Sequence, residues 1–141
     1  MSIPSKAFEY KPIKSNCMDF FYKTNEFSNE NPERTIMRCF SILYNDGMFL
    51  EAVYSILVEY EGAGVEGCSW VYPDLDSPYP SDHFEGVRFE IGFDDPSNIV
   101  YVSEQMSFNY AKKACERFLE IHPEHKNFLK NIIDSWKPLK P

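Results

Sequence analysis

Long hydrophobic runs, an export signal and paired cysteines are all missing from this 141-residue chain. A helix that crosses a bilayer needs about 20 consecutive apolar residues, and the chain has no stretch near that length. The first ten residues, Met1-Ser-Ile-Pro-Ser-Lys-Ala-Phe-Glu-Tyr10, contain no apolar signal core, so the protein is expected to stay in the cytoplasm. Cys17, Cys39, Cys68 and Cys115 form no Cys-x-x-Cys pair, and no histidine stands at ligand spacing from any of them. A structural zinc site is therefore not expected, and all four read as reduced thiols. Hydrophobic residues are 43% and charged residues 26% of the whole, ordinary values for one globular domain and far from those of a disordered chain. A chain of this length buries roughly two thirds of its unfolded surface, enough to fold without a metal or a disulfide.

Positive charge is also missing, but only locally. Between Glu59 and Asp95 ten acids face a single base, Arg88, for a net charge of −9, while the remainder holds thirteen bases and twelve acids. The whole negative field comes from about a quarter of the sequence. Such a field repels nucleic-acid phosphates and draws in basic partners, so direct nucleic-acid binding is disfavoured.

Periodicity supplies the architecture. The Asp19-Phe-Phe-Tyr22 run fits either a short strand or the first turn of a helix, and Asn29 to Pro32 reads as a turn. Ile36, Met37, Phe40, Leu43 and Tyr44 make a helical stripe, broken by Asn45-Asp46-Gly47. Phe49, Ala52, Val53, Ile56, Leu57 and Tyr60 make a second, closed by Gly62, and so short a link lays the two helices side by side. Val65 to Tyr72 favours β structure, whereas Pro73 to Asp82, with three prolines and three aspartates, must be loop. Val87, Phe89, Ile91 and Phe93 alternate with polar residues; with Asp94 to Asn98 as turn and Ile99 to Val102 as return strand, they predict a hairpin over about 86–103. Ser107 is a candidate N-cap for a helix whose face is Ala111, Ala114, Cys115, Phe118 and Leu119. Pro123 opens a last helix with Leu129, Ile132, Ile133 and Trp136 as its stripe. The fold class expected is α+β, a small antiparallel sheet packed by N-terminal and C-terminal helix pairs in a single domain.

Catalytic and ligand-binding motifs are sparse. His122 and His125 are three apart, not the four a helical metal pair needs, and read as a cap or surface residues. Asp82-His83 would be half of a triad, but no nucleophile elbow accompanies it. Gly62-Ala-Gly64 lacks the third glycine and following helix of a phosphate loop, and a helix C-cap before a turn is the better reading. Asp74-Leu-Asp76 alternates as in a calcium loop, with Glu85 at position 12, yet Tyr79 stands at position 6 where glycine is required. No cofactor is expected. What remains is a surface: Trp70, Tyr72, Tyr79 and Phe84 interleaved with Asp74, Asp76, Asp82 and Glu85. The aromatics fit either interface anchors steered by the acids or core residues beneath a solvated loop.

The runs Phe84-Glu-Gly-Val-Arg-Phe-Glu-Ile-Gly92, Val102-Ser-Glu104 and Ala114-Cys-Glu-Arg-Phe-Leu-Glu-Ile-His-Pro-Glu124 resemble the immunity proteins of bacterial contact-dependent growth inhibition (CDI) systems. Within that family the resemblance is to the group paired with ribonuclease toxins. It extends through Phe49-Leu-Glu-Ala52 and Gly64-Val-Glu-Gly67, covering about residues 33–136 and leaving the first 30 unmatched. It implies a non-enzymatic cytoplasmic protein that binds and blocks the C-terminal nuclease domain of a CDI effector, and it carries over no catalytic residue. Asp74, Asp76, Asp82, Glu85, Tyr72 and Tyr79 are the expected toxin-binding residues. The rival expectations are an acidic mimic of nucleic acid that regulates another basic protein, and a small hydrolase built on Asp82 and His83.

Overall fold

A computed structural model describes residues 8–12, 34–65, 67–92 and 99–138. Helix α1 (Arg34–Asn45) leads into α2 (Phe49–Tyr54), which widens into one π-helical turn, Ser55–Glu59. Strands β1 (Ala63–Val65), β2 (Cys68–Val71), β3 (Val87–Ile91) and β4 (Ile99–Val102) follow, then α3 (Glu104–Ile121), a 3-10 turn at Pro123–His125 and α4 (Lys126–Ser135). The fold is α+β, with a four-stranded antiparallel sheet in the order β1-β2-β3-β4. The predicted hairpin is its β3–β4 half, in the register Val87↔Val102 and Phe89↔Val100. Phe93 and the Asp94–Asn98 turn lie outside the described residues, as do Cys17, Asp19–Tyr22 and the Asn29–Pro32 turn.

α1 is the centre of the molecule. Its predicted stripe is fully buried, and Thr35, Cys39 and Ser41 are buried too, which leaves Arg38, Ile42 and Asn45 as its one less covered face. It lies on β2, β3 and β4 and also touches α2 and α3. A left-handed Gly47 ends it: Gly47 N–H donates to Tyr44 O (3.1 Å) and Met48 N–H to Leu43 O (2.9 Å), a Schellman closure that turns the chain into α2. The strands send Cys68, Trp70, Val87, Phe89, Ile91 and Val102 inward against it. Trp70, 3% exposed, is a core residue whose indole N–H donates to Glu61 O (3.0 Å). The thiols of Cys39 and Cys68 meet between α1 and β2, and Cys115 is buried in α3; none of these three is in a disulfide. Burial pushes the Cys39 and Cys115 thiols well above their usual range and keeps both protonated.

Two local expectations are corrected, and a third is decided between its alternatives. Gly62 does not end α2. The π turn brings in one residue more per turn, and the left-handed position is Tyr60 (φ 54°), whose hydroxyl donates to Lys137 O (2.5 Å). Gly62 instead leads into β1, where a Cβ would lie 2.9 Å from Trp70 O. Ser107 does not cap α3. The helix starts one turn earlier, where Ser103 Oγ accepts from Met106 N–H (3.0 Å), and Ser107 is buried within it. Of the two readings of His122 the cap holds and the surface does not: it is the C-cap of α3, its backbone N–H donating to Phe118 O (2.7 Å). It is 6% exposed, with its Nε2 2.9 Å from the Tyr44 hydroxyl.

Tyr10 comes from the stretch that the resemblance leaves unmatched, yet it stitches the α1–α2 corner. Its hydroxyl donates to Tyr44 O (2.7 Å) and accepts from Phe49 N–H (3.1 Å). Burial pushes the phenol well above its ordinary range, so it remains a donor.

Candidate protein-binding surface

Residues 72–86 connect β2 to β3 and carry the acids singled out in the sequence. The loop is held by its own bonds. Asp74 N–H donates to Asp82 O (2.9 Å) across its base, and Asp74 Oδ1 accepts from Asp76 N–H (3.1 Å). The Ser77 hydroxyl donates to Asp82 Oδ2 (2.5 Å) and His83 Nε2–H to Ser77 O (2.7 Å). Pro80 starts a 3-10 turn through Asp82. The backbone hydrogen bonds that a proline-rich loop lacks are thus replaced by side-chain ones.

This scaffold sorts the predicted site residues. Asp74, Asp76, Tyr79 and Glu85 are exposed. Asp82 is half-buried and committed to Ser77, which makes it a brace for the loop. Tyr72 is a strap: its hydroxyl donates to Ile56 O (2.8 Å), tying the loop base to the π turn. Burial, with the Glu104 carboxylate adding to it, pushes that phenol well up. Phe84 is half-buried, edge-on to Tyr101 (5.2 Å between centroids) with Arg88 over its face. Leu75 was missed. It is 63% exposed beside Tyr79 at 67%, and the only sequence signal was an apolar residue set between two aspartates in a proline-stiffened loop. Exposed apolar side chains within a charged rim are what an interface anchor looks like before it is covered.

A second acidic feature adjoins the first. A groove of about 470 Å³ runs beside β1, with Glu51, Glu59 and Glu61 among its lining residues. A Cβ on Gly62 would lie 3.7 Å from Tyr72 N, so the groove and the loop occupy the same end of the sheet.

The geometry does not assemble a hydrolytic relay from Asp82 and His83. The carboxylate takes the Ser77 hydroxyl and the imidazole takes the Ser77 carbonyl, so Asp82 does not orient His83 and the imidazole is not bonded to a hydroxyl. Among the described residues no three His, Cys, Asp or Glu side chains converge on one point. In the described residues no helix is long and apolar enough to cross a membrane.

A family model described as CDI immunity protein matches residues 32–133. The chain belongs to that family. A solved structure from Neisseria meningitidis MC58, described as an immunity protein, is similar in fold: the TM-score is 0.69 at 21% identity, over 88% of this chain and all of that one. No curated protein sequence matches the chain significantly. The family stretch contains the sheet, the acidic loop and the helix-Pro-helix corner of this immunity protein, and ends inside α4.

That corner has a pH consequence. Burial lowers the His122 pKa from its ordinary value, and the Glu124 carboxylate, 3.6 Å from Nδ1, opposes the shift. An unfolded histidine takes up its proton as pH falls through about 6.5, whereas the folded imidazole resists until lower pH. This contribution to stability is therefore present above that value and is lost as pH falls below it. The urea midpoint should drop on moving to mildly acidic pH, and should drop less in His122→Gln. An equal drop in the variant would remove His122 from the account.

Proposed function

We propose that this immunity protein neutralises the C-terminal nuclease domain of a CDI effector, a ribonuclease by the resemblance of its sequence, by docking its acidic surface on the toxin's basic face in the cytoplasm. Membership of a CDI immunity family carries the coarser part: the chain acts by binding a toxin. The observation that supports the finer part is the segment from Glu59 to Asp95, with its net charge of −9, in which a braced loop presents Asp74, Asp76, Glu85, Leu75 and Tyr79 to solvent. A nuclease needs a basic surface to hold RNA phosphates, and an acidic partner competes for it. The protein blocks by occupancy, without a catalytic group or cofactor of its own.

The charges on this surface set the rate of encounter. Reversal of Asp74, Asp76 and Glu85 together to lysine should slow association with the inactivated toxin domain about tenfold at low salt. The deficit should shrink as ionic strength rises, because exposed charges are screened over about 8 Å at physiological salt. Asp82 is left in place, since its carboxylate holds Ser77. Stopped-flow association, with circular dichroism to check the fold, makes the measurement. A triple variant that associates as fast as the parent at low salt would move the interface elsewhere.

A further inference from the structure

Among the described residues β1 stands at the edge of the sheet, paired only with β2. Its sequence, Ala-Gly-Val, has no charged side chain and no proline, so its shortness, three residues, is what limits pairing at this edge. Ala63 and Gly64 are exposed. The register pairs Gly64 with Ser69, and a Cβ on Gly64 would come within 2.8 Å of Ser69 Cβ. So close a pair is the non-hydrogen-bonded kind in an antiparallel ladder, in which the N–H and C=O point away from the partner strand. The N–H and C=O of Gly64 therefore face the open side, with no side chain to screen them.

The groove beside this edge decides what fits there. Phe8, Met48 and Tyr54 contribute apolar surface, and Glu51, Glu59 and Glu61 the charge; among the described residues no lysine, arginine or histidine lines it. Edge-to-edge pairing of two copies would bring glutamates against glutamates. A strand carrying lysine or arginine gains from the same charges.

We propose that the open edge of β1, with the glutamate-rich groove beside it, accepts an extended lysine- or arginine-bearing segment of the toxin domain as an added strand. This deepens the toxin-binding reading above and rests on it. The added strand would pair its backbone with Gly64 while its basic side chains reach Glu51, Glu59 and Glu61, so main-chain bonds supply adhesion and the carboxylates supply selection.

Amide hydrogen exchange tests it, on the whole chain alone and with the inactivated toxin domain encoded beside it. In the free protein the Gly64 amide should exchange as an open amide, and in the complex it should become protected. Glu59→Lys with Glu61→Lys, changes at exposed side chains, should weaken binding about tenfold or more. In the Asp74, Asp76 and Glu85 triple reversal, Gly64 should still be protected once the complex is saturated. A complex that forms while Gly64 exchanges at its free rate overturns the added strand and leaves the toxin-binding reading standing. Protection already present in the free protein and rising with its concentration assigns the edge to a second copy and overturns it as well. Absence of any complex with the unaltered chain brings down both readings.

Discussion

Gly86→Ala is expected to destabilise the protein by about 3 kcal/mol or more, the strain of a left-handed alanine being added to a backbone collision. Gly86 has φ +84° at the entry to β3, and a Cβ there would sit 1.9 Å from Val102 O and 3.1 Å from Ser103 Cα. Neither neighbour is free to retreat. Val102 pairs with Val87, and Ser103 is the cap of α3. Gly92 supplies the control: its φ is +74°, but among the described residues a Cβ there meets nothing within 4 Å. Gly92→Ala should therefore show conformational strain alone, about 1 kcal/mol. Urea denaturation of the two variants makes the comparison, and equal losses would show that the close approach to Val102 contributes nothing.

Phe118→Ala is expected to cost about 3–5 kcal/mol, the range for emptying a large aromatic site in a packed core. The ring joins α2, residues 8–12 and the end of α3. It stacks on Phe49 of α2 (4.8 Å between centroids, 12° between planes), meets Tyr10 edge-on at 5.0 Å and lies 4.7 Å from His122. Removing it undercuts the α1–α2 corner, the docking of residues 8–12 and the end of α3 at once. Phe108 also stacks, on Trp136 at 4.2 Å, but it is only half-buried, so Phe108→Ala should cost clearly less. Thermal and urea unfolding would read both, and a Phe118→Ala protein as stable as Phe108→Ala would contradict this view of the core.

The elements that announced themselves in the sequence are those whose own side chains decide their burial. The stripe from Ile36 to Tyr44, the face from Ala111 to Phe118 and the alternation from Val87 to Ile91 each carry enough apolar area to fix an orientation. β1 was not legible because Ala-Gly-Val has little strand preference of its own; pairing with Cys68–Val71 makes it a strand. Ser103 directly follows the return strand that the sequence already ended at Val102; the apolar face that starts at Ala111 drew the cap one turn too late, to Ser107. His122 is buried because Tyr44, 78 residues away in sequence, supplies its partner. The candidate site divides the same way. Charge concentration picked out the loop acids, since a local excess survives any folding. That Asp82 braces the loop and Tyr72 anchors it depends on Ser77 and Ile56, contacts set by the three-dimensional path alone.

The loop between β2 and β3 is tied to itself far more than to the core, and this bears on how such a protein evolves. The bonds joining Asp74, Ser77, Asp82 and His83 form a closed frame, and the side chains of Leu75, Asp76 and Tyr79 hang from it without holding anything up. Substitution at those tips changes the surface offered to a partner at small cost to stability, usually within about 0.5 kcal/mol for an exposed site. With this loop as the proposed docking surface, recognition can drift, and a lineage can track a changing adversary, while the helices and sheet beneath stay constant. The frame residues carry the opposite constraint: they let specificity vary by not varying themselves.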